Sequence, residues 1–136
     1  MIDRGAGGTG ITTPELGFRK EFRLRNATEF SLVLANHRRL RGAVFELHYL
    51  SQESRPVGEP VGARLGVVIA KKLVQRAVQR NLLKRLARET FRIFRQGLPH
   101  YDLVLRLAKS PGRDLDSETR RTWRADIEQL LIRLPR

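Results

Sequence analysis

Residues 70 to 97 read Ala70-Lys71-Lys72-Leu73-Val74-Gln75-Arg76-Ala77-Val78-Gln79-Arg80-Asn81-Leu82-Leu83-Lys84-Arg85-Leu86-Ala87-Arg88-Glu89-Thr90-Phe91-Arg92-Ile93-Phe94-Arg95-Gln96-Gly97. At 100° per residue, Leu83, Leu86, Ala87, Thr90, Phe91, Ile93 and Phe94 fall in one sector, and Asn81, Lys84, Arg85, Arg88, Arg92 and Arg95 in the opposite one. That is the pattern of a helix of about twenty residues laying an apolar keel on a sheet, stopped by Gly97-Leu98-Pro99. Arg76 and Arg80 lie nearer the apolar sector, so they are solvated only where the first turns overhang the core. There they flank an amino end whose free N–H groups suit an anion, with Lys71 and Lys72 just before it.

Upstream, Arg64 to Ala70 has strand character, and Ala43 to Leu50 alternates, with Phe45, Leu47 and Tyr49 on one face and Val44, Glu46, His48 and Leu50 on the other. Ser51 to Gly62 reads as a loop, and the two strands are expected to pair as an antiparallel hairpin across it. Asn26-Ala27-Thr28-Glu29 offers an N-cap with a Glu three residues on, opening a short helix from about 27 to 36. Downstream, Asp102 to Ala108 is a third strand, and Asp116 or Ser117 caps a final helix with Trp123, Ile127, Leu130 and Leu134 on one face. A fourth strand is expected between residues 52 and 74. The order is α+β: a small sheet of about four strands and three helices, with the helices expected on one side.

The chain of 136 residues fits one domain. Residues 1 to 17, with five glycines, read as a flexible tail, and 18 to 136 as a single folded unit. A hydrophobic share of 40% excludes a disordered basic tail. The absence of cysteine removes thiolate metal sites and disulfides and fits a reducing, cytoplasmic setting. No apolar run approaches the roughly 20 residues a membrane helix needs, so a membrane partner is not expected.

The 27 Lys and Arg against 14 Asp and Glu give a formal net charge of +13, which points to a polyanion. Within 71 to 95 the only acid is Glu89, against nine basic groups. An ordinary solvated helix face mixes signs, with Glu placed four residues before Lys or Arg. Uncompensated arginines on one rigid face instead match phosphates, onto which each guanidinium forks two donors.

The register from Ala70 to Glu89, a Lys-Lys pair followed by Arg-Ala, Arg-Asn, Lys-Arg and Arg-Glu, closely resembles the signature of the bacterial ribonuclease P protein subunit. The similarity extends to Phe22-Arg23-Leu24, Glu29-Phe30, the strands at 64 to 70 and 102 to 108 and the last helix, about residues 20 to 134. The resemblance implies a fold like the second domain of ribosomal protein S5, with a left-handed crossover carrying the basic helix. It also implies a heterodimeric ribonucleoprotein of one protein and one catalytic RNA, which removes the 5′ leader of precursor transfer RNA. The RNA does the chemistry with Mg2+, so no protein side chain is assigned as catalytic and no metal ligand is named.

By matched position, Arg76, Arg80, Asn81, Lys84, Arg85 and Arg88 belong to the face that meets the catalytic RNA, and Arg92 continues it on the wheel. Phe30, Leu34, Phe45 and His48, with Lys71 and Lys72 at the rim, carry over to a cleft for the single-stranded leader. Aromatic residues often stand in the family where Leu34 and His48 are here; imidazole still stacks on a base, and Leu does so less well. Periodicity alone places Phe30 and Phe45 equally in the core and His48 in an ordinary strand.

Two other readings stay open. A structural ribosomal protein would use the same basic ridge, although the motif register favours the first reading. A nuclease acting alone needs an acid, a base or a metal cluster. His37, His48 and His100 have no ligand spacing, and Asp114-Leu115-Asp116 reads as a loop and helix cap.

Overall fold

A computed structural model describes residues 22–24, 26–52, 62–111 and 116–135. The expected tail at 1–17, most of the loop after residue 52, and Asp114 and Leu115 lie outside these residues. In chain order the elements are α1 (Ala27–Ala35), β1 (Arg39–Arg41), β2 (Phe45–Ser51), β3 (Arg64–Val68), α2 (Ala77–Phe94), a 3-10 turn (Arg95–Gly97), β4 (Tyr101–Leu107) and α3 (Ser117–Ile132).

Local chemistry explains the helix starts. Asn26 accepts from the Glu29 N–H at 2.9 Å, while Glu29 reaches back to the Asn26 N–H at 3.4 Å. This capping box satisfies donors that the first turn leaves free. Asp116 accepts from the Thr119 N–H at 2.8 Å and starts α3. These hydrogen bonds hold the Asp116 carboxyl below its ordinary range. α2 starts at Arg76 without a side-chain cap.

The sheet runs in the order β1-β2-β4-β3. β2 and β3 are therefore not the expected hairpin: β4 lies between them, antiparallel to β2 and parallel to β3. A parallel pair cannot close through a tight turn, and the chain uses α2 as the crossover from β3 to β4. The fourth strand is also elsewhere than expected. It is β1, three residues paired antiparallel to β2 with Arg39 opposite His48 and Arg41 opposite Glu46.

Nor do the helices share one side. Phe45, Leu47 and Tyr49 of β2 and Leu103, Leu105 and Leu107 of β4 pack with Leu83, Leu86 and Phe91 of α2 and Trp123, Ile127 and Leu130 of α3. On the opposite face Val104 packs with Val33 of α1 and Leu24, flanked by Phe30, Leu50 and Val68. A strand with apolar residues on both faces needs cover on both, and β4 is buried from Asp102 to Leu105. Gly66 lets α1 approach closely, because a Cβ there would collide with the Phe30 ring. Residues 22–24 close the β3 edge through a bridge from Arg23 to Leu65 and a Leu24 N–H to Leu65 C=O bond of 3.2 Å.

Candidate nucleic-acid interface

α2 packs against α3 and β3, with Leu83, Leu86, Ala87, Thr90 and Phe91 buried. The opposite side presents Asn81 and Arg85 to solvent, with Lys84, Arg88 and Arg92 half-buried and the Arg92 Nε enclosed. Guanidinium and ammonium groups thus run along one flank for three turns. Glu89, 3.6 Å from Arg92, is the one acid on the helix. The wheel is corrected at two positions. Ile93, assigned to the keel, is 67% exposed, while the keel continues past it at Phe94, which packs against the core. Arg95, assigned to the basic face, turns inward: its guanidinium lies over the Phe22 ring at 3.3 Å, and its Nε donates to Ala63 C=O at 3.1 Å.

Arg23, which periodicity did not single out, extends the strip across the β3 edge. Burial holds the pKa of the Arg88 guanidinium below its ordinary value, and the positive charge of Arg23 pushes it further the same way. Arg23 and Arg88 thus bring two like charges together in partly buried surroundings.

At the amino end of α2, Arg80 is turned toward the preceding loop. Its NH1 donates to Val74 C=O at 2.9 Å and to Gln75 C=O at 2.8 Å. Ser110 Oγ donates to Leu73 C=O at 3.2 Å, and the Val74 N–H returns to Ala70 C=O at 3.2 Å. These bonds hold the turn that carries exposed Lys71, Lys72 and Arg76. The awkward wheel position of Arg80 is explained: it is near the core because it braces a loop.

Of the second residue group, the structure brings together only part. Phe45 is 1% exposed and belongs to the cluster under α2 and α3, so it lies on the sheet face away from α1. The cleft assignment of Phe45 is therefore corrected, since alternation along β2 sends it to the opposite side from His48. Phe30 is half-buried over Gly66, and Leu34 is 38% exposed one turn further along α1. Lys71 and Lys72 follow the end of β3.

His48 is buried at 5% exposure on the α1 side of the sheet. Its Nε2 lies 3.5 Å from Glu46 Oε1, and neither ring nitrogen has a hydrogen-bond partner. Burial holds the imidazole below the ordinary histidine range; Glu46 opposes this, and Arg106 and Arg39 reinforce it. The sheet row beside it crosses three strands as Arg41, Glu46 and Arg106. That row was invisible in the sequence, because it depends on β4 lying next to β2.

The same α1 face carries a buried polar network. Arg64 places Nε on Asp102 Oδ1 and NH2 on Asp102 Oδ2, both at 2.9 Å, and NH1 on Glu29 Oε2 at 2.9 Å. Gln52 adds a 2.8 Å bond to Asp102 Oδ1. The Asp102 carboxylate and the Glu29 carboxylate favour the charged guanidinium, so Arg64 is held above its ordinary value. This network anchors the first turn of α1 to β3 and β4. Among the described residues, no three His, Cys, Asp or Glu side chains converge as a metal site would require.

A family model described as Ribonuclease P matches residues 18–134. The ribonuclease P protein component of Bordetella petrii is 39% identical over 121 residues, spanning 89% of this chain and 98% of the relative. That of Azoarcus sp. is 47% identical over 113 residues, spanning 83% and 86%. Among solved structures, the RNase P protein from Thermotoga maritima superposes with a TM-score of 0.67 at 27% identity, over 84% of this chain and 98% of that one. The Staphylococcus aureus RNase P protein has a TM-score of 0.68 at 22% identity over 82% and 93%, a likeness of fold.

Proposed function

The chain belongs to the ribonuclease P protein component family, and from that premise we propose that it acts as the protein subunit of an endoribonuclease that trims the 5′ leader from precursor transfer RNA. In this reading the flank of α2 binds the catalytic RNA through Arg76, Asn81, Lys84, Arg85, Arg88 and Arg92, with Arg80 bracing the loop. The observation that supports it most is the cationic flank of α2, where a buried keel fixes four cations, Lys84, Arg85, Arg88 and Arg92, against one acid. A rigid row of donors meets phosphates without the entropy cost of ordering loose side chains.

The groove beside α1 takes the single-stranded leader, with half-buried Phe30 as the stacking surface and Leu34, Lys71 and Lys72 at its margin, while His48, 5% exposed, lies too deep to stack on a base. The partners are one catalytic RNA and the precursor. The site works in the cytoplasm, where transfer RNA is made; no helix among the described residues is long and apolar enough to cross a membrane.

The reaction requires Mg2+, which supplies a Lewis acid and an activated water. Among the described residues no three acidic or histidine side chains converge and the α2 flank is cationic, so no side chain is named as the ion's ligand. RNA phosphates are the donors the reading assigns, while the protein lowers their mutual repulsion and orients the substrate.

The test is cleavage of a precursor transfer RNA at low magnesium by the host's catalytic RNA alone, the protein alone, and both. Rapid 5′ cleavage only with both is expected. Cleavage by the protein alone would make it a nuclease in its own right, and no stimulation would leave it a general RNA-binding protein.

A further inference from the structure

Among the described residues β1 is the unpaired edge of the sheet, opposite the β3 edge that residues 22–24 bridge. Three strand spacings separate the two edges, about 14 Å. The sequence there is Arg38-Arg39-Leu40-Arg41, and all three arginines are exposed. Leu40 faces the core, so Arg39 and Arg41 project from the α1 side of the strand. α3 adds a fourth exposed cation: Arg133 NH1 donates to Arg41 C=O at 2.9 Å, which draws its guanidinium to the same edge.

The carboxylates near this edge are already engaged. Both oxygens of Asp126 accept backbone N–H groups, from Ala43 at 2.7 Å and from Val44 and Phe45 at 3.0 Å. Glu46 is shared between His48 at 3.5 Å and Arg41 at 3.9 Å, the latter too long for more than a weak attraction in solvent. Arg38 and Arg39 make no ion pair among the described residues. Among the described residues four guanidiniums therefore stand against two carboxylates, Asp126, whose oxygens face backbone N–H groups, and Glu46, and Arg106 continues the positive row inward from Glu46.

We propose that Arg38, Arg39, Arg41 and Arg133 form a second phosphate-binding surface, which engages an RNA backbone at the β1 edge while α2 engages another segment at the far side. The inference rests on the RNA-binding reading above, because α2 supplies the first anchor. Guanidiniums suit phosphate oxygens through paired donors, and an exposed three-residue strand leaves room for a backbone alongside it. Arginine on an edge strand has a second use, deterring edge-to-edge pairing between copies. The two roles separate by what the charges control: RNA affinity in one, self-association in the other.

The experiment uses the full chain with Arg38→Gln, Arg39→Gln and Arg41→Gln combined, and Arg85→Gln with Arg92→Gln as the α2 control. Binding is measured across a salt series to the host's catalytic RNA, and separately to precursor transfer RNA added to the preformed complex. Thermal melting and light scattering accompany both. The β1 variant is expected to melt like the wild type and to lose about 2 to 3 from the magnitude of the log K against log salt slope in one arm, at 0.7 to 0.9 per lost contact. The affected arm identifies the catalytic RNA or the precursor as the source of the phosphates. Unchanged slopes in both arms overturn the proposal, as does self-association as the sole effect. If the β1 variant binds normally while the α2 control fails, the β1 surface alone is wrong. If the α2 control also binds normally, the RNA reading itself falls.

Discussion

Arg64 and Asp102 stand directly opposite each other on the parallel strands β3 and β4 and close a two-pronged ion pair, both bonds 2.9 Å long. The pair lies at the sheet face where α1 begins, and the third arm of Arg64 holds Glu29, the capping residue of α1. Removing one partner leaves a charge with little solvent. Asp102→Ala is expected to destabilise the protein by about 3 kcal/mol or more, read by chemical denaturation. Glu29→Gln should cost less, roughly 1 kcal/mol, because the fork to Asp102 survives and only one arm and half of the capping box are weakened.

Asp126 plays a comparable part for the β1–β2 turn, where one carboxylate serves three consecutive N–H donors. Asp126→Ala leaves those donors without their acceptor, at a cost of about 2 to 3 kcal/mol. Backbone hydrogen exchange at Val44 and Phe45 should accelerate with it, while amides in the α1 segment keep their protection. Uniform loss of protection would mean that Asp126 supports the whole fold rather than the turn.

Arg80 is expected to act through the loop it braces. Arg80→Ala should remove about 1 kcal/mol of local stability, and so speed exchange at Leu73 and Val74 roughly fivefold without lowering the global melting point. In RNA binding its effect should shrink when Lys71→Ala and Lys72→Ala are already present. Strict additivity would instead make Arg80 an independent phosphate contact.

His48 gives the protein a pH dependence of known sign. Its folded-state value lies below the ordinary 6.5, so the unfolded chain binds the proton more readily between those two values. Stability is complete above about pH 6.5 and falls as the pH drops through that window. The groups facing the ring are Glu46, Arg39 and Arg106. Denaturation midpoints followed from neutral to mildly acidic pH should decline for the wild type and stay flatter for His48→Leu. Equal slopes would assign the decline to other groups.

The helices were legible because each rests on local signals. Asn26 with Glu29, Asp116 with Thr119, and the keel from Leu83 to Phe91 lie within one or two turns of each other. Strand existence was equally local, since the alternation at Phe45, Leu47 and Tyr49 needs no partner to be seen. Strand neighbours were not legible: whether β4 or β3 lies beside β2 is decided by which apolar faces α2 and α3 cover, a long-range matter. The misplacement of Phe45 follows from this, because alternation gives two faces without saying which one α1 occupies. β1 went unread because three residues, two of them arginine, carry no periodicity. Arg95 shows the limit of a helical wheel at a helix end, where the chain turns to 3-10 geometry and Phe22 offers a ring.

The claim on which the account turns is that the α2 flank binds the catalytic RNA, and it is met most directly by a binding isotherm. Arg85 is exposed and Arg92 half-buried on that flank, so reversing both leaves the keel untouched. With Arg85→Glu and Arg92→Glu combined, affinity for the host's catalytic RNA at about 0.1 M salt should fall roughly a hundredfold, about 2.7 kcal/mol, with an unchanged melting point. Affinity within about twofold of the wild type, from a variant that melts normally, would contradict the account.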